Sequence, residues 1–420
     1  MSAIAAVFGL FVAIGVIVTA RGHDAKRVTA VTTAAATPTT DAVGEPTQSP
    51  PDLTTFNGVL TAQEAALLRG DERGWLAPVD PKAPAAIAEA KRIFHNMRAM
   101  HVTAWDQSSI GGFNPVTATK QTYEIDVSYC LAVPSCNNTQ ATLVATVQLH
   151  GGKVLIESLT APKANTHTND PLPWEVATLS AVVGPRVIVA ASSAESSRLK
   201  SALSAAEGAA ANADKFAMWG KPEVYVVYLA DHSESRQWFH ADASSDLGMA
   251  ITMTASDIQV LMVLPDAAEV RDAGPGGFPS VLRHEFGHVA TLTGISSNDD
   301  DSLVEGVAEY ISFAGHPSWA QDDNYAARVY IRSGKWSKKI YLTKEIFSKN
   351  LITANAAYGI GYLGLRYLAN AYGQHAMLAF WGDVEHQGIS LNGASETEFH
   401  KPWTSVNAGA VAYVKKTLHI

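Results

Sequence analysis

Five residues, HEFGH at His284 to His288, have the types and spacing of a metal site that activates water. On a helix, positions i and i+4 lie one turn apart on one face, so both imidazoles can address a single ion. Glu285 sits beside them with a carboxylate able to reach a water on that ion. Two imidazoles and a neighbouring carboxylate are the parts of zinc-assisted hydrolysis, the histidines as ligands and the glutamate as base.

The flanking residues predict the helix this chemistry needs. PGGFPS, Pro275 to Ser280, reads as a loop ending in helix-start residues. Leu282, Phe286 and Val289 recur at i, i+4 and i+7, an apolar stripe on the face away from the histidines. Gly294 supplies a stop.

A catalytic zinc takes three protein ligands and leaves a fourth position open. The candidate region for the third is SLVEGVAEY, Ser302 to Tyr310, in which Glu305 falls seventeen residues past His288. HEFGH followed by this string resembles the gluzincins, the clan of thermolysin-like and aminopeptidase N-like metallopeptidases. That resemblance implies Glu305 as the third ligand. It also implies Glu309, one turn later, as the acidic residue that orients a ligating histidine, His284. Taken as a local pattern, Ser302-x-x-Glu305 also fits a capping box, which would give Glu305 a helix-start role instead. The spacer is shorter than in many gluzincins and requires a tight connection. Its loop, SSNDDDS at Ser296 to Ser302, reads as a solvated acidic stretch before a helix N-terminus, and no calcium is assigned to it.

Asn355 to Gly373 has helical periodicity, with Tyr358, Tyr362, Leu365, Ala369 and Tyr372 on one side. In aminopeptidase N-like enzymes a tyrosine opening a comparable helix donates a hydrogen bond to the oxyanion. The resemblance puts Tyr358 in that role, with Ile360 where a lysine usually follows. Tyrosines at this spacing also suit a core face. His316, His375 and His386 are further candidate stabilisers, and the sequence does not choose among them.

The chain has 420 residues, 47% hydrophobic and 17% charged, values of a globular protein with room for two cores. A net charge of −9 without basic runs argues against a nucleic-acid partner. The expected class is α+β: a helix-plus-antiparallel-sheet unit over residues 56–165, then a peptidase unit over residues 174–420. In the first unit, Thr61 to Leu76 and Pro84 to Met100 read as helices, broken by Ala77 to Lys82. Tyr123, Ile125, Val127 and Tyr129 alternate along one strand, and Leu143, Ala145, Val147 and Leu149 along the next. GDERGWL and IFHNMRAM resemble the small cone-like domains of the nuclear transport factor 2 type, over about 110 residues. No catalytic constellation accompanies them, so this unit is expected to pack or dock.

After a polar break at Ala164 to Pro173, strands are expected at Ala177 to Ala190, Glu223 to Leu229 and Ile258 to Leu264. An Ala-rich helix is expected at Ser193 to Phe216. Strands before the HEFGH helix and an almost wholly helical pattern from Ser302 onward resemble the two gluzincin lobes. The resemblance covers roughly Trp174 to Ile420, with specific motifs only at His284 to Tyr310.

Ser2 to Ala20 is uncharged and apolar enough to span a bilayer, and Val18-Thr19-Ala20 also fits a signal-peptidase site. Arg21, Lys26 and Arg27 after the span would favour a cytoplasmic body. The Ala/Thr/Pro-rich stretch, residues 28–55, and the cysteine pair Cys130 and Cys136 argue for the outside. The Ala/Thr-rich style resembles actinobacterial envelope proteins. The expectation is therefore a membrane segment over residues 1–27, cleaved or retained as a single-pass anchor, an extracytoplasmic body and a Cys130–Cys136 disulfide in a hairpin turn.

The function implied is hydrolysis of protein or peptide substrates. His284, His288 and Glu305 would hold Zn2+, and Glu285 would take a proton from water and pass it to the leaving amine. A zinc-binding but inactive envelope module is the alternative, and an interaction protein with a fortuitous HEFGH is a third reading. No amine-recognition string accompanies the motif, which weighs against aminopeptidase action.

Overall fold

The computed structural model describes residues 15–17, 53–117, 119–134, 136, 139–162, 171–240, 247–254, 257–263, 276–295, 301–347 and 349–420. The chain is of α+β class, with two sheets followed by a helical C-terminal region.

A short strand, β1 (Gly15–Ile17), comes first. Three helices follow, α1 (Leu53–Arg69), α2 (Glu72–Leu76) and α3 (Pro84–Ala99). Four strands then form an antiparallel sheet in sequential order: β2 (Val102–Thr117), β3 (Lys120–Leu131), β4 (Thr139–His150) and β5 (Lys153–Thr160). Of the two helices expected here, the first is split, because α1 ends at Arg69, Gly70 takes a positive φ, and Asp71 caps a new helix by accepting from Gly74 N–H at 2.9 Å. The cysteines form the expected Cys130–Cys136 disulfide at the end of β3.

A short turn of helix, α4 (Pro173–Val176), leads into β6 (Ser180–Val183) and β7 (Val187–Ala191). Helix α5 (Leu199–Ala213), strand β8 (Tyr225–Ala230) and helix α6 (His232–Ser235) follow, then β9 (Gly248–Thr254) and β10 (Asp257–Val263). These strands make a mixed six-stranded sheet in the order β1-β9-β10-β8-β7-β6. Beyond it lie α7 (Gly277–Leu292), α8 (Ser302–Ser312), α9 (Gln321–Arg332), α10 (Leu351–Tyr372), α11 (Gln374–Glu385), α12 (Leu391–Phe399) and α13 (Trp403–Leu418).

The six-stranded sheet is apolar on both faces, which explains runs such as VIVAA and YVVYLA. Val187, Val189, Tyr225, Val227 and Leu229 join a core with α5, α7 and the later helices. Their neighbours Ile188, Ala190, Val226, Tyr228 and Ala230 join a second core with α1, α3 and the four-stranded sheet. The first sheet thus covers one face of the second. Asn96 of α3 fixes the crossing segment. Its amide donates to the carbonyls of Trp174 at 3.0 Å and Ala177 at 2.7 Å, and accepts from Leu179 N–H at 2.8 Å. Trp174 is fully buried against Trp105 and Tyr129.

The N-terminal expectation is corrected. Among the described residues no helix is long and apolar enough to cross a membrane. Within Ser2 to Ala20 the described part, Gly15–Ile17, is a strand paired in parallel with Met249 to Ile251 of β9 and not a spanning helix. β-Branched Val16 and Ile17 suit that conformation. The single-pass membrane placement is withdrawn on this finding. The rest of residues 1–52, and residues 163–170 of the polar break, lie outside the described residues.

Candidate metal centre

Helix α7 carries HEFGH as expected. Leu282, Phe286 and Val289 are buried, and Phe286 stacks on Tyr225 of β8 with ring centroids 4.4 Å apart. This apolar seating leaves the other face of α7 to meet α8. The approach is close at Gly287, where a Cβ would lie 3.0 Å from Ala308 Cα. Any larger residue at the centre of the motif would push α8 away.

Glu305 is therefore delivered to the histidines from the first turn of α8. His284 Nε2 and His288 Nε2 lie 2.9 Å apart, and Glu305 Oε2 is 3.2 Å from the first and 3.4 Å from the second. All three side chains are buried, and together they could hold a metal ion. Glu305 Oε2 is shut away from water and faces the Nε2 atoms of both histidines. A buried carboxylate in that state needs a cation beside it, and the two imidazole nitrogens face the same point. The donor set and its geometry fit a metal.

The capping-box role for Glu305 does not hold. Asp301 is the N-cap of α8, accepting from Leu303 N–H at 2.7 Å and Val304 N–H at 3.1 Å. Ser302 instead turns its hydroxyl to Ile340 C=O at 2.8 Å and accepts from Leu342 N–H at 2.7 Å. Of the acidic loop, residues 296–300 lie outside the described residues.

Glu309 meets the other nitrogen of His284, with Nδ1 to Oε1 at 3.1 Å. Burial opposes the charged form of His284, but the Glu309 charge and the hydrogen bonds that His284 donates to Glu305 and Glu309 outweigh it and raise the group well above its ordinary value. Burial pushes His288 down, against the pull of Glu305. Glu305 is driven up by burial and further down by the two histidines, to about 2. The pocket is strongly polarised around the three converging atoms.

Glu285 is fully buried on the same helix, against Gly248 of β9. Tyr358, at the second turn of α10, has its ring 6.0 Å from that of His284 and 5.4 Å from Phe347. The three other candidate histidines are elsewhere. His316 is exposed and stacked on Trp319, His375 is exposed, and His386 Nε2 donates to Thr291 C=O at 2.7 Å.

Two residues at the site carried no spacing signal. Asp323 of α9 is pushed well above the carboxylate range, first by burial and then by the nearby charge of Glu309. Arg283, beside the motif, donates to Ala314 C=O at 2.6 Å and Ile311 C=O at 3.3 Å, tying α7 to the end of α8. A basic residue next to His284 was the one visible hint of that clamp. No protein-family model matches the chain, and no curated protein matches it.

Proposed function

We propose that this protein is a zinc-dependent peptidase of gluzincin type. His284, His288 and Glu305 would be the ligands, Glu285 the base, and a protein or peptide the substrate. The observation that carries the reading is the convergence of the three ligand atoms at 2.9, 3.2 and 3.4 Å from one another. Ligand bonds of 2.0–2.1 Å at tetrahedral angles put such atoms about 3.3 Å apart, so the set suits zinc. Bound there, zinc supplies Lewis acidity, polarising a carbonyl and acidifying a water towards a pKa of about 7.

The chain's own groups do the rest. His284 and His288 would hold the ion through Nε2, and Glu309 keeps the first ring oriented through Nδ1. The Glu285 carboxylate takes the proton of the attacking water and delivers it to the leaving nitrogen. Tyr358, whose ring lies beside His284, is the candidate donor to the developing oxyanion.

A second reading has one observation in its favour: His284, Glu285, His288 and Glu305 are each no more than 1% exposed. A catalytic site keeps a position open, whereas a structural metal site is closed. The second reading is therefore a metal-stabilised module that hydrolyses nothing.

One set of variants separates them. Purified protein should contain about one zinc per chain, and Glu305→Ala should lose most of it, because three protein groups hold a catalytic ion. Glu285→Gln should keep the zinc and abolish hydrolysis of a peptide library. Zinc retained in full by Glu305→Ala would sink the ligand assignment. Stoichiometric zinc with no cleavage of any peptide by the wild type would leave the closed, structural reading.

A further inference from the structure

Gly248 lacks a side chain at the place where β9 runs against Glu285. A Cβ there would lie 2.8 Å from Glu285 Oε1, 2.9 Å from Glu285 Cγ and 3.0 Å from Val281 Cγ1. The two contacts with Glu285 are overlaps, so something would have to shift, and the third is tight. The strand is not free to do so. Gly248 pairs with Met262 of β10, and Val263 N–H donates to Leu247 C=O at 3.0 Å. Turning the carboxylate alone does not relieve the contact at Cγ, which lies partway along the side chain. Backbone conformation does not explain the glycine either, because Gly248 is not among the residues of positive φ.

We infer that Gly248 is a positioning residue for Glu285: the missing side chain fixes how far the carboxylate sits from the His284–His288–Glu305 cluster. The atoms a Cβ would meet first belong to Glu285 and Val281, none to a ligand residue. A methyl group here therefore acts on the base and leaves the ligand set in place. This rests on the reading of Glu285 as base and adds to it the element that aims the carboxylate.

The test is Gly248→Ala, alone and combined with Glu285→Ala, with three readouts. Zinc content should stay at about one per chain in both. In peptide hydrolysis, Gly248→Ala should lower kcat about 100-fold with little change in KM, the scale of a misplacement near 1 Å. In the cobalt-loaded protein, the pH midpoint of the visible band should shift as it does in Glu285→Ala. Adding Gly248→Ala to Glu285→Ala should move neither the midpoint nor the residual rate.

The cobalt titration does not depend on turnover, so it judges Gly248 even if the wild type cleaves no peptide and the peptidase reading fails. Wild-type kcat and midpoint in Gly248→Ala would overturn the inference. So would a further loss on adding it to Glu285→Ala, since that marks a general effect on the sheet. If Gly248→Ala misfolds, the double variant decides. Recovery of folding once the Glu285 side chain is removed supports the contact, and failure of both shows that the strand itself requires glycine.

Discussion

His284 offers one nitrogen to the cluster and turns the other to Glu309 at 3.1 Å, so its ring cannot swing without losing a charged partner. Glu309→Ala should therefore weaken zinc binding or activity by about 10–100-fold without abolishing the site. Competition with a chromophoric chelator measures this, and a wild-type zinc affinity would show that the ring needs no such support. The same contact gives a pH dependence. In the metal-free protein Glu309 and Glu305 overcome burial and hold a proton on His284 well above its ordinary value. Zinc must displace that proton, so its affinity should keep rising with pH beyond about 6.5, the usual imidazole value. Calorimetry in buffers of different ionisation enthalpy counts the protons released, and an affinity flat above that pH would contradict the assignment. HEFGH could be read from the sequence because its geometry is local to one helix. Glu305 and Glu309 needed a family pattern, because their approach crosses a loop. Asp323 and Arg283 obey no spacing rule, since tertiary packing alone brings them in.

At the scale of elements, the site depends on how closely three helices approach. Helices α8 and α10 cross where a Cβ on Gly306 would lie 2.5 Å from Gly361 C, and one on Gly361 would lie 1.8 Å from Ser302 O. Gly306→Ala should destabilise the protein by about 1–3 kcal/mol or more through overpacking. It should also weaken zinc binding, because Glu305 is the preceding residue. A urea midpoint and zinc affinity both equal to wild type would mean that the crossing relaxes freely. Asp301→Ala removes the α8 cap and should cost about 0.5–2 kcal/mol, read from the same unfolding curve. The sequence showed α7 and its stop, since Thr293 and Gly294 end the helix where expected. It did not show β2, β5 or β9. GMAITMT has no polar alternation because β9 is buried on both faces, and a period-2 reading finds nothing to count. The break inside the first expected helix has local signals, a glycine of positive φ at Gly70 and the Asp71 cap on Gly74, and the apolar periodicity running across them hides it.

At the scale of the molecule, the two units expected from the sequence share a core on one face of the six-stranded sheet. A chain beginning at Trp174 would bare Ile188, Val226, Tyr228, Met249, Ile251 and Leu261, which pack in the core with the first sheet and its helices. Such a truncation should aggregate or bind hydrophobic dyes, and a monomeric, zinc-loaded fragment would refute the shared core. Trp174→Ala in the full chain should cost about 3–5 kcal/mol, since it empties a site lined by Trp105 and Tyr129. The doubled burial of β7 and β8 has a consequence in time as well as in energy. With apolar neighbours above and below, residues 187–191 and 225–230 reach solvent only if both cores separate at once. Their amide hydrogens should be the last to exchange for deuterium, at a rate that reports the opening of the whole protein and no smaller part of it.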